Sequence, residues 1–508
     1  MKKTTLLLLG FLLVKMVLEF QLIHPVFDLH RDEYLHLDQA KHLAWGYQSV
    51  PPLSSWIAWI ILQLGNGVFW VKFFPALFGA LTIWVVWKII EALNGGWFAL
   101  SMGAVAILMS VFLRINILFQ PNSFEYFIWT CVYYFIIKYI QTKKSSWLYA
   151  MAIAIGLGVL NKYNIAFLVL GLLPALAITE HRKLYSNKHF YLAILVSLII
   201  IAPNLYWQWT NDFPVISHMQ ELKRTQLVNV TTGHFIKEQF LFFFAAFFVL
   251  VTAFVGFFRY EPFKPFRIFL WAFCLSIGLF IYFKAKAYYA IGLYPVLIAF
   301  GAVYLEQVLS KSWRVYLKPL CLVFPFAIMI PMFNLIFPIE TPDQMRSLEA
   351  DFKKFGLIRW EDGKDHEIPQ DFADMLGWKE MAAKVDSAVL SLNDPQHTLV
   401  YCDNYGQAGA INYYSKIKGM QAVSYDADYL NWFPLNNSIK HVVQIKEAKD
   451  VEREMADQVN NFESVVKFGK IESPFAREKG TTILILKNTK INLNQLIRKD
   501  IAEEKSKY

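Results

Sequence analysis

Long apolar stretches separated by short polar connectors fill the first two thirds of the chain. A helix needs about 20 mostly apolar residues to cross the hydrocarbon core of a bilayer. On this criterion the pattern predicts eleven membrane spans, near residues 4–23, 69–90, 95–113, 123–140, 147–160, 163–179, 189–208, 238–258, 266–283, 288–306 and 314–336. The first stretch has no small-residue cleavage site after it, so we interpret it as a retained helix rather than a signal peptide.

Basic residues gather in alternate connectors of this pattern. The basic groups are Met1-Lys2-Lys3, Lys138 with Lys143-Lys144, Arg182-Lys183 with Lys188, Arg259 with Lys264 and Arg267, and Lys311 with Arg314 and Lys318. The positive-inside rule assigns these connectors to the cytoplasm. The long connector 24–68, the loop 209–237 and the segment after residue 340 are then expected on the external side.

The connector 24–68 contains a stretch rich in ionisable side chains beside the first predicted span, FDLHRDEYLHLDQ. Asp28 is expected to cap a helix that runs to Gly46, a residue suited to end one. Asp32 and Glu33 would lie near the first turn, and His36 would share a face with Asp32. A carboxylate placed there can accept a proton from an attacking hydroxyl or amine. The alternative is that these charges only solvate an external loop.

The composition changes after about residue 340 to mixed charge with many turn-forming residues. HTLVYCDNYGQAGAINYY predicts a buried strand, a turn and a helix, and HVVQI and TTILILKN predict further strands. The fold class is therefore a polytopic α-helical membrane protein with a small C-terminal α/β domain. We place the membrane domain at 1–338, with the external connector 24–68, and the α/β domain at 339–508.

Composition agrees with this fold class, since 56% of the residues are hydrophobic and 18% are charged. The net charge of +9 is dispersed between apolar stretches, which argues against a nucleic-acid partner. The four cysteines form no CxxC pair and no HExxH motif occurs. His30, Glu33 and His36 would not share one helix face well. The sequence therefore predicts no cofactor and gives no indication of a divalent metal.

Several motifs resemble those of one enzyme family. Asp32-Glu33 followed by AKHLAWGY and PPLSSW resembles the external loop of the family-39-like glycosyltransferases of the GT-C fold. This family includes protein O-mannosyltransferases and the aminoarabinose transferase of lipid A. FQPNSFEYFIW, GLGVLNKYNIAFL, APNLYWQW and KAKAYYAIGLYPVLIAFGA are similar to later family motifs in the expected order. Together the motifs extend over most of residues 1–306.

The resemblance implies transfer of a sugar from a polyprenyl-phosphate donor to an envelope lipid, glycan or protein. Transfer would take place at the external face of a bacterial cytoplasmic membrane, with inversion at the anomeric carbon. Asp32 matches the catalytic aspartate of the family and Glu33 its acidic neighbour. The residues expected to bind substrate are Tyr34, His36, Asn122, Glu125 and Tyr289.

A phosphate leaving group needs cations near the membrane surface. Lys162, Lys284 and Lys286 stand at external ends of predicted spans and are the candidates to bind the donor phosphate. The alternative is that these lysines only extend towards the interface. Asn122 and Glu125 either position the donor or a metal, or serve as a helix cap and an interfacial carboxylate. Two departures from the family, Ser49-Val50 before the twin proline and Glu125 in place of aspartate, put a donor-selective contact in question.

Two other functions compete with this hypothesis. A transporter or flippase of lipid-linked glycans would place ionisable residues near the bilayer midplane and often has duplicated halves. This chain concentrates such residues at one face and has no internal repeat, which favours an enzyme. An inactive protein of the same fold is the other alternative. The loop 209–237, with His218 and Lys223, is either a lid or an amphipathic segment on the membrane.

Overall fold

The computed structural model describes residues 3–506, which fold into two compact units. The first unit consists of the described residues up to Ile23, Val50–Ser54 and Phe69–Phe337. The second consists of His24–Ser49, Ser55–Val68 and the described residues from Pro338 onwards. Met1 and Lys2, which were predicted to be cytoplasmic, lie outside the described residues.

Helices make up the first unit. Its α-helices and the helix that leads into it are Lys3–Gln21, Val68–Ala92, Trp97–Leu108, Val111–Ile115, Pro121–Thr142, Ser146–Asn161, Ile165–Ile178, Lys188–Thr210, Pro214–Thr225, Thr232–Phe242, Phe247–Arg259, Arg267–Tyr282, Tyr294–Leu309, Lys318–Met329 and Phe333–Ile336. Short 3-10 helices join them at Glu180–Ser186, Leu227–Asn229, Phe244–Ala246, Glu261–Phe266, Ala287–Leu293, Ser312–Leu317 and Ile330–Met332. Each predicted span coincides with a helix or with consecutive helices of this list.

The predicted number of eleven spans is not confirmed. Within residues 3–506, six helices or continuous helical segments are long and apolar enough to cross a bilayer, and two bent pairs raise the number to eight. The pairs are Ile165–Ile178 with Glu180–Ser186, bent by 106°, and Thr232–Phe242 with Phe244–Arg259, bent by 62°. Trp97–Leu108 and Ser146–Asn161 are apolar but shorter.

Polar contacts fix the helices of the first unit at a few points. Gly96 precedes helix Trp97–Leu108 and has no side chain to cap it, and its N–H donates to Glu306 Oε2 at 2.6 Å. Lys15 and Glu19, four residues apart on one helix, form a buried ion pair, and Lys15 Nζ donates to the carbonyl of Phe112 at 2.9 Å. These bonds satisfy groups that would be costly to leave unpaired in an apolar interior.

The second unit contains a five-stranded sheet. Its strands are β1 (Thr398–Cys402), β2 (Ala422–Val423), β3 (His441–Lys446), β4 (Phe462–Lys470) and β5 (Thr482–Thr489), in the order β2-β1-β3-β5-β4. β1 is parallel to β2 and β3, whereas β5 is antiparallel to both β3 and β4. The predicted strands in HTLVYC, HVVQI and TTILILKN are confirmed, and β2 and β4 are additional.

The second unit also contains helices. They are Arg31–Gln39, Pro342–Arg346, Glu349–Phe355, Gln370–Ala373, Trp378–Ser391, Tyr405–Tyr414, Val451–Gln458 and Leu493–Ser506, with 3-10 helices Pro395–His397 and Ala427–Asn431, and helix Leu53–Gln63 contributes most of its length. Leu399, Val442 and Leu484 belong to a hydrophobic core formed by the strands and the last helix. The predicted α/β character of this part of the chain is confirmed.

The connector that contains Asp32 folds with the C-terminal segment. The predicted division at residue 338 assigned all of 24–68 to the membrane domain, but most of this connector packs within the second unit. The N–H of His24 donates to the carbonyl of Pro338 at 2.6 Å, and the N–H of Asp28 donates to that of Met375 at 2.7 Å. Backbone hydrogen bonds to residues more than 300 positions away caused this difference, and no local pattern could reveal them.

Candidate active site

The helix that carries Asp32 is shorter than predicted and begins with a different cap. It extends over Arg31–Gln39 and does not reach Gly46. His30 is the N-cap: its Nδ1 accepts from the N–H of Asp32 at 3.3 Å, and Glu33 Oε2 accepts from the N–H of His30 at 2.6 Å. This reciprocal pair is a capping box, which satisfies otherwise unpaired donors at a helix start. Glu33 is fully buried in this role.

Asp28, the predicted cap of this helix, instead caps another helix. Its Oδ2 accepts from the N–H groups of Trp378 at 3.1 Å and Lys379 at 3.3 Å, and its Oδ1 pairs with Lys379 Nζ at 2.8 Å. Helix Trp378–Ser391 has Gly377 at its N-cap position, which offers no side-chain oxygen. A carboxylate at the start of a helix also interacts favourably with the helix dipole. Asp28 therefore fixes the connector to the C-terminal part of the second unit.

The carboxylate of Asp32 accepts a short hydrogen bond and remains partly open to solvent. Oδ1 accepts from the hydroxyl of Tyr405 at 2.6 Å, Oδ2 lies 3.8 Å from His30 Nδ1, and 36% of the side chain is exposed. Burial of the neighbourhood opposes ionisation, but the charges of His30 and Arg31 and the Tyr405 hydrogen bond outweigh it and lower the pKa of Asp32. The group is therefore an ionised, accessible carboxylate at neutral pH.

Other charged groups lie around Asp32. The guanidinium of Arg31 lies 4.5 Å from the centroid of the Tyr405 ring. His30 Nε2 lies 3.7 Å from Asp374 Oδ2, and Arg477 approaches the same aspartate at 3.3 Å. Burial raises the pKa of Asp374 although these cations oppose the rise. Two aspartates in one cluster thus have pKa values shifted in opposite directions, an arrangement that separates acid and base roles in enzymes.

Tyr34 and His36, which were expected to bind substrate, are both buried. The Tyr34 hydroxyl donates to that of Tyr414 at 3.4 Å, and its ring packs edge-on against Trp378 with centroids 5.9 Å apart. His36 Nδ1 lies 3.1 Å from Gln39 Oε1, and burial lowers the His36 pKa. Tyr34 packs the helix against the rest of the second unit, whereas the contact of His36 with Gln39 lies within its own helix, and substrate binding by either stays a prediction.

In the first unit, four predicted site residues lie together. Lys162 Nζ is 2.7 Å from Asn122 Oδ1 and 3.2 Å from Glu125 Oε2, and it is 4.4 Å from the centroid of the Tyr289 ring. Asn164 donates to Glu125 Oε1 at 2.6 Å and to the carbonyl of Tyr289 at 3.1 Å. The lysine is 18% exposed, whereas Glu125 is 1% exposed.

An interruption between two helices creates this cluster. Helix Ser146–Asn161 ends just before Lys162, whose backbone is extended, and the next helix begins at Ile165. Asn161 Nδ2 donates to the carbonyl of Pro121, the first residue of helix Pro121–Thr142, at 2.8 Å. The bond holds the break beside the helix start that presents Asn122 and Glu125. We call Asn122, Glu125, Lys162, Asn164 and Tyr289 the lysine cluster.

Lys284 and Lys286 lie in the turn after helix Arg267–Tyr282. Lys284 is exposed and has φ of +52°, a left-handed conformation that is unfavourable for a lysine. Lys286 precedes the 3-10 helix Ala287–Leu293. His218, on helix Pro214–Thr225, is close enough for the Lys286 charge to add to burial in lowering the His218 pKa. The loop 209–237 is thus partly helical and approaches Lys286.

Three residues of the Asp32 cluster were not identified as site residues from the sequence. Tyr405 lies in the Asp-Asn-Tyr-Gly turn, which was correctly predicted as a strand-to-helix turn and considered only for acceptor recognition. Arg31 adjoins Asp32 in the sequence, but its position over the Tyr405 ring could not be predicted. Asp374 has no local signal. Within residues 3–506, no group of three or more His, Cys, Asp or Glu side chains is arranged to hold a metal ion.

Comparison with known proteins gives one family match and one curated relative. Residues 49–207 match the family model described as dolichyl-phosphate-mannose-protein mannosyltransferase. The matched stretch includes Asn122, Glu125 and Lys162 and begins after Asp32. The lipid A galacturonosyltransferase RgtD of Rhizobium johnstonii is 23% identical over 223 residues, which are 43% of this chain and 46% of RgtD. The match therefore spans less than half the length of that relative.

Solved structures match over nearly the whole chain. ArnT from Cupriavidus metallidurans bound to undecaprenyl phosphate has a TM-score of 0.63 at 14% identity, over 95% of this chain and 97% of ArnT. Its apo state gives 0.61 at 14% identity, over 96% and 98%. The Archaeoglobus fulgidus oligosaccharyltransferase tethered to an acceptor peptide gives 0.51 at 11% identity, over 89% and 70%. The fold is that of ArnT, and the resemblance to GT-C glycosyltransferases is confirmed.

Proposed function

We propose that this protein is a membrane glycosyltransferase that transfers a sugar from a polyprenyl-phosphate donor to an envelope acceptor. The acceptor class is a lipid, a glycan or a protein at the external face of a bacterial cytoplasmic membrane. The ArnT-like fold, the mannosyltransferase family match and the similarity to RgtD support this class of reaction. The observation that carries the proposal is the ionised Asp32 carboxylate, which is 36% exposed and is hydrogen-bonded by the hydroxyl of Tyr405.

In the proposed reaction Asp32 is the general base. Its carboxylate takes the proton from a hydroxyl or amine of the acceptor as that hydroxyl oxygen or amine nitrogen attacks the anomeric carbon of the donor sugar. The bond between the anomeric carbon and the phosphate oxygen breaks, and polyprenyl phosphate leaves with the electron pair. Attack from the face opposite the phosphate inverts the anomeric configuration. Glu33 supports this step indirectly, because it fixes the start of the helix that presents Asp32.

The cations of the first unit are proposed to stabilise the phosphate that leaves. Lys162 has two acceptors in the lysine cluster and a third N–H that can donate to a phosphate oxygen. Lys284 and Lys286 are the other candidates, and the exposure of Lys284 suits a headgroup that arrives from the membrane surface. Charge on a leaving phosphate is best stabilised by cations that are already in place when the bond breaks.

A test of the proposal compares cells that express the wild-type chain, no chain, or the Asp32→Asn variant. Mass spectrometry of envelope glycolipids and glycoproteins should reveal a glycosylated product that needs both the chain and Asp32. The abundance of the variant in membranes must equal that of the wild type. If the product forms at the wild-type level in cells with the variant, the base assignment is wrong. If the product also forms in cells that lack the chain, this protein does not have the proposed activity.

A further inference from the structure

Tyr405 contacts Asp32 across 373 positions of sequence, and its backbone is well anchored. Asn404 is the N-cap of helix Tyr405–Tyr414, where its Oδ1 accepts from the N–H of Gln407 at 3.1 Å. The N–H of Tyr405 donates to Asp426 Oδ2 at 3.3 Å. The phenol therefore projects from the first residue of a capped helix, a position that allows little freedom to its Cα.

The ring of Tyr405 is also held from one side. The guanidinium of Arg31 lies 4.5 Å from the ring centroid, which is the geometry of a cation–π contact. Gly406 allows this approach, because a Cβ at that position would lie 3.3 Å from Arg31 Cβ and 3.4 Å from Arg31 Nε. A glycine directly after the tyrosine therefore leaves room for the arginine that precedes Asp32.

We propose that Tyr405 is a positioning residue for Asp32: its hydroxyl binds Oδ1 and so holds the carboxylate in the orientation that meets the acceptor. This inference rests on the proposed function of Asp32 as the base. An aspartate carboxylate rotates about the Cα–Cβ and Cβ–Cγ bonds, and a short hydrogen bond to one of its oxygens restricts both rotations. A base that is held in place needs no reorientation when the acceptor arrives, and small misplacements of reacting groups lower rates strongly.

The hydrogen bond has a definite direction. Burial and the charge of Asp32 raise the pKa of Tyr405 well above its ordinary value, so the phenol keeps its proton and remains the donor. Tyr405 cannot then compete with Asp32 as the base. A donor to the ionised form of a carboxylate also lowers its pKa. Loss of the hydroxyl should therefore change both the orientation and the proton affinity of Asp32.

The first experiment measures Asp32 directly and needs no substrate. Full-length protein in lipid nanodiscs is treated with a water-soluble carbodiimide and an amine at several pH values, and coupling to Asp32 is quantified by peptide mass spectrometry. Carbodiimides react with the protonated carboxyl, so the pH midpoint of coupling reports its protonation. We expect Tyr405→Phe to raise the midpoint by about one pH unit. An unchanged midpoint would overturn the inference.

Tyr425→Phe is the matched control. The hydroxyl of Tyr425 also donates to an aspartate, Asp500, at 3.4 Å within the same unit. This variant loses an equivalent tyrosine hydroxyl without touching the Asp32 cluster, so the midpoint at Asp32 should stay at the wild-type value. A shift of equal size in both variants would mean that Tyr405 acts only through the general stability of the unit, and the inference would fail.

The second experiment measures transfer of the product that the Asp32→Asn comparison identifies. Tyr405→Phe should lower kcat about 10- to 100-fold with an unchanged KM for the donor, and should move the acid limb of the pH profile upwards. If Tyr405→Phe folds poorly, difluorotyrosine at position 405 preserves the shape and donates more strongly, and the acid limb should move downwards. Wild-type kcat and pH profile in both variants would contradict the proposal.

The two proposals fail in different ways. If Asp32→Asn keeps wild-type transfer, Asp32 is not the base, and the positioning role of Tyr405 falls with it. If Asp32→Asn is inactive while Tyr405→Phe matches Tyr425→Phe in kcat and in the labelling midpoint, the proposed function stands and the inference about Tyr405 alone is wrong.

Discussion

Asp32 with His30, Arg31, Asp374 and Tyr405, here called the Asp32 cluster, and the lysine cluster each contain one charged group proposed to act on the substrate. The two charged groups differ in exposure and in the partners that bind them. Asp32 is 36% exposed and has a neutral hydroxyl on one oxygen. Lys162 is 18% exposed and pairs with Glu125, a carboxylate that is 1% exposed. A neutral donor leaves the charge of Asp32 in place, whereas Glu125 compensates most of the charge of Lys162. The first arrangement suits a base, and the second suits a cation whose position matters more than its net charge.

The largest expected effect is a loss of transfer rate when Asp32 is replaced. Asp32→Asn should reduce transfer by about 10²–10⁴-fold, because general-base catalysis contributes a factor of this size. The amide keeps an oxygen that can accept from Tyr405, so folding should be preserved. Rates are measured in membranes with equal amounts of protein. Asp371→Asn, which changes an exposed aspartate of the same unit, is the control and should leave the rate unchanged.

The second prediction tests whether Lys162 and Glu125 form an interdependent pair. Lys162→Met should destabilise the protein by about 3–5 kcal/mol, because it leaves Glu125 buried without its cation. Lys162→Met combined with Glu125→Gln should restore most of this loss, since both charges are then absent. Thermal unfolding in detergent, followed by size-exclusion chromatography, measures the difference. Additive effects of the two substitutions would show that the pair is not coupled.

The third prediction separates Asp32 from its acidic neighbour. Glu33→Gln should keep transfer within about threefold of the wild type, because glutamine also completes a capping box. Glu33→Ala should cost about 1 kcal/mol of stability through loss of the cap. Transfer rates and unfolding temperatures of both variants are the measurements. A loss of transfer in Glu33→Gln as large as that of Asp32→Asn would instead make Glu33 a direct participant.

The smallest expected effect concerns pH. The pKa of Asp32 is lowered in the folded protein, so its ionised form contributes stability that is present above the unfolded pKa of about 4 and is lost as the pH falls through the folded value. The base should therefore stay ionised from about pH 5 to pH 8, and its titration should not change the rate in that range. A coupling midpoint of Asp32 above pH 5 in the wild-type protein would contradict this prediction.

The sequence predicted the parts of the molecule that depend on local patterns. The apolar stretches all became helices. Asp32 and Glu33 fall, as predicted, in the first turn of a separate helix, Arg31–Gln39. The alternation of apolar residues identified β1, β3 and β5. The predicted number of eleven spans stays unconfirmed, since six helical segments within residues 3–506, or eight with the two bent pairs, are long and apolar enough to cross a bilayer.

Local sequence patterns could not predict the contacts that define the candidate site. Asp28 was expected to cap its own helix, but it caps one that begins at Trp378. Tyr405 reaches Asp32 from a turn that local signals identified only as a turn. Lys162, Asn122 and Glu125 were each singled out, and their meeting depends on helix packing. Pairings between residues so distant in sequence follow from the fold, and a single sequence carries no record of them.

The second unit is assembled from segments of the chain that are synthesised at different times. Asp28 and Asp32 emerge early from the ribosome, whereas Trp378 and Tyr405 follow only after the membrane helices have been made. At about 5–20 residues per second, the 373 positions between Asp32 and Tyr405 correspond to a delay of about 20–75 s. During this time the connector has none of its distant partners. A nascent chain that stops before residue 405 would therefore carry Asp32 without the tyrosine that binds it.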